Sequence, residues 1–442
     1  MAKTKRNYKP HLQTSKIKPT PENKDDESNG SGTSEVVSDD TIREETPEYT
    51  IDGSILEGGG QIIRNCLALA SLFNKPIRIN KIRNGRDQPG LKAQHRSGVD
   101  LLVRLFRAHA SGCKVGSTDL YYHPRRLAHE IKDTSIEADT GTAGSITLLL
   151  QISLPCLVFF GSSTKLVLGG GTNVAFSPMI DYIAQVFAPA AKLMGVDMDI
   201  TIDKRGYYPR GCGQTTVITR PLTTEPLKPI EILDRGQVTK IIITSYFTST
   251  RINPSVADRM CQHARKLLKK EFKVEIEERS VDVAKESYGD CAYIFIMAET
   301  STGCRFGASA IGEIKVPAEK VAEDATIQLI NDLNGGGCVD EFLQDQLIIF
   351  MALAKGTSKI KTGLISLHTE TSIHFTSLMT GAKFQVIPDP DGKKDVNIII
   401  CDGIGYLNGQ NQNQNINNCT TSTSTTTTTT TTTNNTTTTT DS

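Results

Sequence analysis

Three stretches of the chain share one pattern: an opening at or after glycine, a long apolar run, a short turn, and then strand-like alternation. The first runs from Gly60-Gln61-Ile62-Ile63-Arg64 through an apolar run to Asn74-Lys75, then Ile77-Arg78-Ile79. The second runs from Gly144-Ser145-Ile146 through Leu157-Val158-Phe159-Phe160 to Lys165-Leu166-Val167-Leu168. The third follows a glycine run, from Asp340-Glu341-Phe342 through Phe350-Met351-Ala352 to Ile360. Each reads as a buried helix, a turn and a strand. A more amphipathic helix and an alternating strand follow each time: Leu91 to Ala108 then Cys113-Lys114-Val115, Pro178 to Met194 then Val196 to Ile200, and Ile373 to Gly381 then Lys383 to Val386. Repetition at such intervals predicts stacked supersecondary units that share a core, and helices on sheets make the class α/β or α+β.

The stretch from about Pro229 to Gly312 breaks this rhythm. It offers a strand over Val238 to Tyr246, a basic helix over Pro254 to Lys270, and strands over Lys273 to Ile276 and Ala292 to Met297. A smaller β-α-β-β domain inserted between the second and third repeats is expected. The predicted division is therefore a tail over 1–48, repeats one and two over 49–228, the insertion over 229–313, repeat three over 314–407, and a second tail over 408–442.

Composition sets those tails apart. The first 48 residues are rich in Lys, Ser, Thr, Pro, Asp and Glu and nearly free of large apolar side chains, so they cannot offset their ordering entropy. The last 35 or so turn from Asn/Gln-rich to almost pure Thr, a low-complexity tract that needs no core. Among the 442 residues, 49 Lys and Arg balance 49 Asp and Glu, so any hold on nucleic acid must come from a local cluster. No apolar run is long enough for a membrane span, and the N-terminus lacks an apolar signal core. The cysteines are scattered without a C-x-x-C pair, which points to neither a zinc cage nor a redox pair and fits a reducing compartment, cytosol or nucleus.

Five clusters could carry chemistry. In Asp52-Gly53-Ser54-Ile55-Leu56-Glu57-Gly58-Gly59-Gly60-Gln61-Ile62-Ile63-Arg64, three glycines entering a helix let backbone N–H groups approach an anion. Arg64 falls one turn inside, and Glu57 could hold a divalent metal beside phosphate; a Gly-rich turn with a solvated Glu is the plainer alternative. In Lys81 to His95, Arg83 and Arg86 flank an Asn-Gly turn and could converge on a phosphate chain, with Gln94 and His95 at the following helix start. A solvated basic hairpin would look the same. Thr140-Gly141-Thr142-Ala143-Gly144-Ser145, with Gln151 further on, suits close approach to a ligand or merely to another helix. Arg205-Gly206-Tyr207-Tyr208-Pro209-Arg210-Gly211-Cys212-Gly213 could stack bases or form a plain turn. Finally, His368 follows a strand at a helix start in Ser366-Leu367-His368-Thr369-Glu370-Thr371, downstream of Asp340 to Leu347. A neutral imidazole there could attack phosphorus, with Asp345 to orient it; His374 is the rival.

Taken together and in order, D-G-S-I-L-E-G-G-G-Q-I-I-R, K-I-R-N-G-R-x-x-P-G-L-x-x-Q-H, G-T-A-G-S, R-G-Y-Y-P-x-G-x-G and V-D-E-F-L-Q-D-Q-L-I-I-F-M-A-L-A resemble the RNA 3′-terminal-phosphate cyclase family over nearly all of Tyr49 to Gly405. The resemblance implies three repeats of two helices on a four-stranded sheet, plus the small inserted domain. It also implies a choice, because one branch of that family works in ribosome assembly without a nucleophilic histidine. The active branch carries S-x-H-x-x-T, matched here by Ser366, His368 and Thr371, so the resemblance gives His368 the role and not His374. By the same carry-over Glu57 would help bind Mg²⁺ or Mn²⁺. Arg64, Arg83, Arg86, Gln94 and His95 would line the nucleotide and RNA-end phosphates. Gln151, Asp345 and Gln346 would contact the adenylate or position His368. One departure is Cys212, which stands where the family pattern has glycine.

The activity so implied is ATP-dependent closure of an RNA 3′-phosphate into a 2′,3′-cyclic phosphate through histidine-AMP and an adenylylated RNA end. The expected partner is RNA with a 3′-phosphate, with neither a membrane nor DNA as natural substrate. The basic N-terminal stretch and the family's habit suggest the nucleus. A silent ribosome-assembly relative and a small-molecule transferase are the competing readings, since a fold by itself does not settle function.

Overall fold

A computed structural model describes residues 44–407. Most of both predicted tails, residues 1–43 and 408–442, lies outside the described residues. The end of the first tail differs from expectation. The Glu45 N–H donates to the Tyr121 hydroxyl at 3.1 Å, its carboxylate pairs with Arg125 at 2.8 Å, and Glu48 pairs with Lys75 at 2.8 Å. Charge pairs fix these residues to the first sheet although they have almost no apolar side chains to bury.

The first repeat comprises β1 (Tyr49–Asp52), α1 (Gly60–Phe73), β2 (Ile77–Asn80), α2 (Ala93–Phe106), β3 (His109–Ser111) and β4 (Leu120–His123), with strand order β1-β2-β4-β3. Only the β1–β2 pair is parallel in this sheet. Asn74 ends α1 in the left-handed conformation, at φ 53°, with its N–H on the last-turn carbonyls. The strand expected at 113–115 is instead a turn; β3 closes two residues earlier at Ser111, and Gly112 and Gly116, both at positive φ, bend the chain there.

The second repeat repeats this topology. It has β5 (Ser135–Asp139), α3 (Ile146–Leu157), β6 (Thr164–Gly170), a helical stretch made of α4 (Ile180–Tyr182), a π-helical turn (Ile183–Phe187) and α5 (Ala188–Leu193), then β7 (Asp197–Gly206) and β8 (Gly213–Arg220). The order β5-β6-β8-β7 matches the first sheet.

The third repeat opens with β9 (Glu231–Ile232), and the insertion departs immediately after it. The insertion contributes β10 (Val238–Phe247), α6 (Pro254–Glu271), β11 (Glu275–Asp282), β12 (Ser287–Tyr288), β13 (Ala292–Thr300), β14 (Arg305–Ile311) and α7 (Ala318–Asn334). Its sheet has order β11-β10-β13-β14, while β12 attaches to the edge of the second repeat's sheet at β7. The chain then completes the third repeat with α8 (Glu341–Leu353), β15 (Lys355–Thr362), α9 (Leu367–Thr380), β16 (Lys383–Pro388) and β17 (Asn397–Ile404), in the order β16-β17-β15-β9.

Two bounds therefore shift from the expected 229–313. β9 pairs in parallel with β15, Glu231 opposite Lys359, so it belongs to the third sheet. At the other end α7 packs on α6, β13 and β14, and Val321, Ala322, Ala325 and Leu329 join the insertion's own apolar cluster. The insertion thus sits inside repeat three. A larger cluster spans the three repeats, where α1 packs on α3 and α9, and α8 on α9. The first turns of α1, α8 and α9 meet along those contacts.

Candidate active site

Ser366 caps α9: its Oγ accepts from the Thr369 N–H at 3.1 Å. Thr369 in turn donates to Gln344 Oε1 at 2.8 Å, tying this turn to α8. His368 thereby stands exposed in the first turn. Its Nδ1 lies 3.2 Å from Gln61 Oε1, and Gln61 Nε2 donates to Asp345 Oδ2 at 2.7 Å. In its ionised form the Asp345 carboxylate only accepts, which fixes the amide with Nε2 toward Asp345 and Oε1 toward the imidazole. Nδ1 then carries the ring proton, and the lone pair is on Nε2. Asp345, expected to orient His368, is linked to it through Gln61, a residue given no role in the sequence analysis. Gln61 and Arg64 are three apart on α1 and share a face, a signal available in the spacing. Burial pushes the Asp345 carboxyl up to about 7, against the nearby Arg64 charge and the Gln61 hydrogen bond. His374 lies two turns along α9 against Phe375, outside both clefts described below.

The glycine turn before α1 lies beside this triad. The Glu57 N–H donates to Thr371 Oγ1 at 3.1 Å, which joins the turn to α9. The Glu57 carboxylate Oε1 pairs with Arg86, whose guanidinium also donates to the Glu57 carbonyl at 2.8 Å. The other carboxylate oxygen, Oε2, is buried without a hydrogen-bond partner. A Cβ at Gly59 would overlap that carboxylate, and one at Gly60 would overlap His95 Nε2 and lie 3.0 Å from Arg64, so both glycines are needed for close approach. His95 Nδ1 accepts from the Lys92 N–H at 3.1 Å, leaving its proton on Nε2. Burial, then the charges of Arg64, Arg83 and Lys92, lower the His95 pKa to about 3. It is a neutral donor throughout the physiological range.

The other expected residues divide. Arg83, at φ 53°, donates to the Gln88 and Gly90 carbonyls at 2.8 and 3.0 Å, so it shapes the 83–90 loop as well as facing the cleft. Gln94 Oε1 accepts from the Ser145 N–H at 3.3 Å and holds the Thr140–Ser145 loop against α2. Gln151 lines the smaller cleft described below. Gln346 lines neither cleft. It donates to the Phe342 carbonyl at 2.9 Å, and its Oε1 lies in the interior beside an internal void between α1, α3 and α8.

Arg205, read above as a possible base-stacking residue, is buried. It donates to both oxygens of buried Asp181 at 2.9 and 3.0 Å and lies over the rings of Tyr246 and Tyr293, at 4.7 and 5.8 Å. Its charge is spent on joining the second repeat to the insertion. Cys212 adopts φ 55°, the left-handed region that glycine tolerates best, which accounts for glycine in the pattern it departs from.

Two clefts meet at His368. The larger, about 800 Å³, is floored by Glu57, Arg64, Arg83, Arg86, Gln94 and His95. The smaller, about 440 Å³, reaches from Arg64 and Gln151 past Phe342 and Asp345 to Ser309 and Gln328 of the insertion. Among the described residues no three His, Cys, Asp or Glu side chains converge as a metal cage. One carboxylate with a spare buried oxygen beside cationic side chains suits a hard divalent ion whose remaining ligands are phosphate oxygens and water. Such a site can bind phosphates and present a histidine nitrogen beside them, the groups that a phosphoryl-type transfer uses.

Similarity to known proteins identifies the family. The family model described as RNA 3′-terminal phosphate cyclase matches residues 55–386. A Dictyostelium discoideum protein named "Probable RNA 3′-terminal phosphate cyclase" is 59% identical over 84% of this chain and 86% of its own length. The RNA 3′-terminal phosphate cyclases of Desulfurococcus amylolyticus and Drosophila melanogaster are 39% and 35% identical, over 80% and 81% of this chain and 98% and 97% of their own. The chain belongs to the RNA 3′-terminal phosphate cyclase family.

Proposed function

We propose that this protein is an active RNA 3′-terminal phosphate cyclase that uses ATP to convert an RNA 3′-phosphate into a 2′,3′-cyclic phosphate. The observation that carries this reading is His368, exposed where the two clefts meet, with Nδ1 held by Gln61 and Nε2 left free as a nucleophile.

In this reading His368 Nε2 attacks the α-phosphorus of ATP and pyrophosphate leaves, giving a phosphoramidate on Nε2. The smaller cleft, with Gln151 and Asp345, receives the nucleoside; the Arg64, Arg86 and His95 floor receives phosphate oxygens. An oxygen of the RNA 3′-phosphate then attacks the same phosphorus, breaking the N–P bond and leaving RNA(3′)pp(5′)A. The vicinal 2′-OH closes on the RNA phosphorus, loses its proton and expels AMP. That last step is intramolecular, with a high effective concentration. Glu57 suits Mg²⁺ or Mn²⁺ through its unpartnered oxygen, and the ion would supply charge neutralisation of the phosphates. Arg64, Arg86 and the His95 N–H stabilise the charge that develops on the transferring group. A DNA end lacks the 2′-OH and could be adenylylated but not cyclised.

Incubation with ATP labelled at the α-phosphate, for the natural protein and His368→Ala, tests the first step. Acid-labile, alkali-stable label that vanishes in the variant is the expected result. Absence of label on the natural protein with metal present would favour a silent ribosome-assembly role, and label retained by the variant would move the nucleophile. We place this activity in the nucleus on the strength of the basic N-terminal stretch, and loss of nuclear accumulation on deleting residues 1–18 would support that.

A further inference from the structure

Between β6 and α4 the chain forms a short loop that carries Phe176. The base of this loop is tied down. Asn173 Nδ2 donates to Asp181 at 2.7 Å, Ser177 Oγ to the Val174 carbonyl at 3.3 Å, and Thr147 Oγ1 to the Pro178 carbonyl at 2.9 Å. Yet Phe176 at its tip is fully exposed, at 100%. Its φ of 63° lies in the left-handed region, where a bulky side chain is a genuine outlier. Folding stability explains neither property, because the ring buries nothing and its backbone is strained. Strain of this kind, held by well-anchored neighbours, collects at ligand-binding positions.

The ring stands on the rib between the two clefts, both of which His368 also lines. Two other exposed apolar side chains, Val115 and Leu367, at 61% and 50%, rim the larger cleft above its cationic floor. An apolar rim over a cationic floor suits a nucleotide end, with phosphate below and base above. Proteins hold single-stranded ends by stacking unpaired bases on such aromatic faces. The smaller cleft is already lined with its own aromatic ring, Phe342. We propose that Phe176 is the stacking platform for the base of the RNA's terminal nucleotide and sets the affinity for RNA ends without taking part in adenylylation of His368.

This inference rests on the RNA-end reading of the larger cleft, and its test separates the two. Fluorescence anisotropy measures Kd for a 3′-phosphate-ended RNA and for the same RNA with an abasic terminal nucleotide. The proteins are the natural form, Phe176→Ala and Phe176→Tyr, and histidine labelling by ATP is followed in parallel without RNA. Phe176→Ala should weaken the ordinary RNA on the order of ten- to a hundred-fold, the range of one lost base stack. Phe176→Tyr should retain binding, and the natural protein should bind the abasic RNA about as weakly as Phe176→Ala does. Equal binding by natural and Ala forms would overturn the proposal. So would an undiminished loss on abasic RNA, or a matching fall in ATP labelling, which would assign the ring to the ATP base. If the natural protein binds no 3′-phosphate RNA, the functional reading itself fails. Phe176→Gly should meanwhile raise the melting temperature, since it relieves the left-handed strain.

Discussion

At the scale of single residues, the site depends on an amide that sets a tautomer. Gln61 receives its orientation from Asp345 and passes it to His368, so imidazole, amide and carboxylate come from three helices. Gln61→Leu should lower the rate of histidine adenylylation about ten- to a hundred-fold, the range expected when a reacting group loses its aligned geometry, with ATP binding little changed. Single-turnover labelling over a range of ATP concentrations separates the two quantities. Asp345 makes a further prediction about pH. Its folded pKa of about 7 lies above the ordinary value of 3.8, so the folded state holds its proton more tightly than the unfolded chain does. The associated stability is fully present below about pH 4 and is lost as pH rises through about 7. Melting temperatures of the natural protein should therefore fall relative to Asp345→Asn across that window; parallel curves would show that the carboxyl is not so shifted. Glu57 and His368 stand out in the sequence as candidates in short motifs, and it is the family resemblance that selects His368 over His374. For Gln61 the spacing offers only a shared helix face with Arg64, and its partners lie 284 and 307 residues away.

At the scale of elements, the shared strand order of the three sheets explains why apolar runs alone located the repeats. Each run is the first helix of a repeat, and burial on all sides leaves an unbroken signal. Short, polar or half-exposed pieces escaped. β9 has two residues, and β3 yields to glycines that read equally well as strand or turn. Arg205 misled for a related reason, because the sequence shows its charge but not Asp181, which absorbs it. Asp340 performs a similar joining role at the start of α8. It accepts from the Tyr182 hydroxyl at 2.6 Å, the Gly307 N–H at 3.0 Å and the Leu343 N–H at 2.9 Å, linking the second repeat, the insertion and the helix that carries Asp345. Breaking the buried Arg205–Asp181 pair by Asp181→Ala should cost about 3–5 kcal/mol, because the guanidinium would stay buried without its counter-charge. Urea unfolding reads that cost. A loss under 1 kcal/mol would mean that water reaches the arginine and that the joint is weaker than its geometry implies.

At the scale of the whole molecule, equal numbers of cationic and anionic side chains leave no long-range pull on RNA. Attraction at the cleft comes from its own few cations, chiefly Arg64, Arg86 and Lys92. Each phosphate neutralised on a single strand contributes about −0.7 to the slope of log K against log salt, so one to three contacts predict a slope between about −0.7 and −2. Anisotropy titrations at several salt concentrations measure it. A much steeper slope would mean that the RNA runs along a longer cationic track than this cleft provides, and that recognition is not confined to the chain end.

The position of the insertion also governs the order in which the protein can assemble during synthesis. Ile230 and Ser358, bonded at 3.2 Å beside the β9–β15 pair, are 128 residues apart in the chain. A ribosome adding about 5–20 residues per second needs on the order of ten seconds between the two. Through that interval the first two repeats and the insertion, with its own apolar cluster, can fold, while β9 waits at a sheet that does not yet exist. Asp345 emerges near the end of that interval and His368 after it. The exposed imidazole and the carboxylate linked to it through Gln61 are thus among the last parts to arrive, after every residue of the larger cleft's cationic floor.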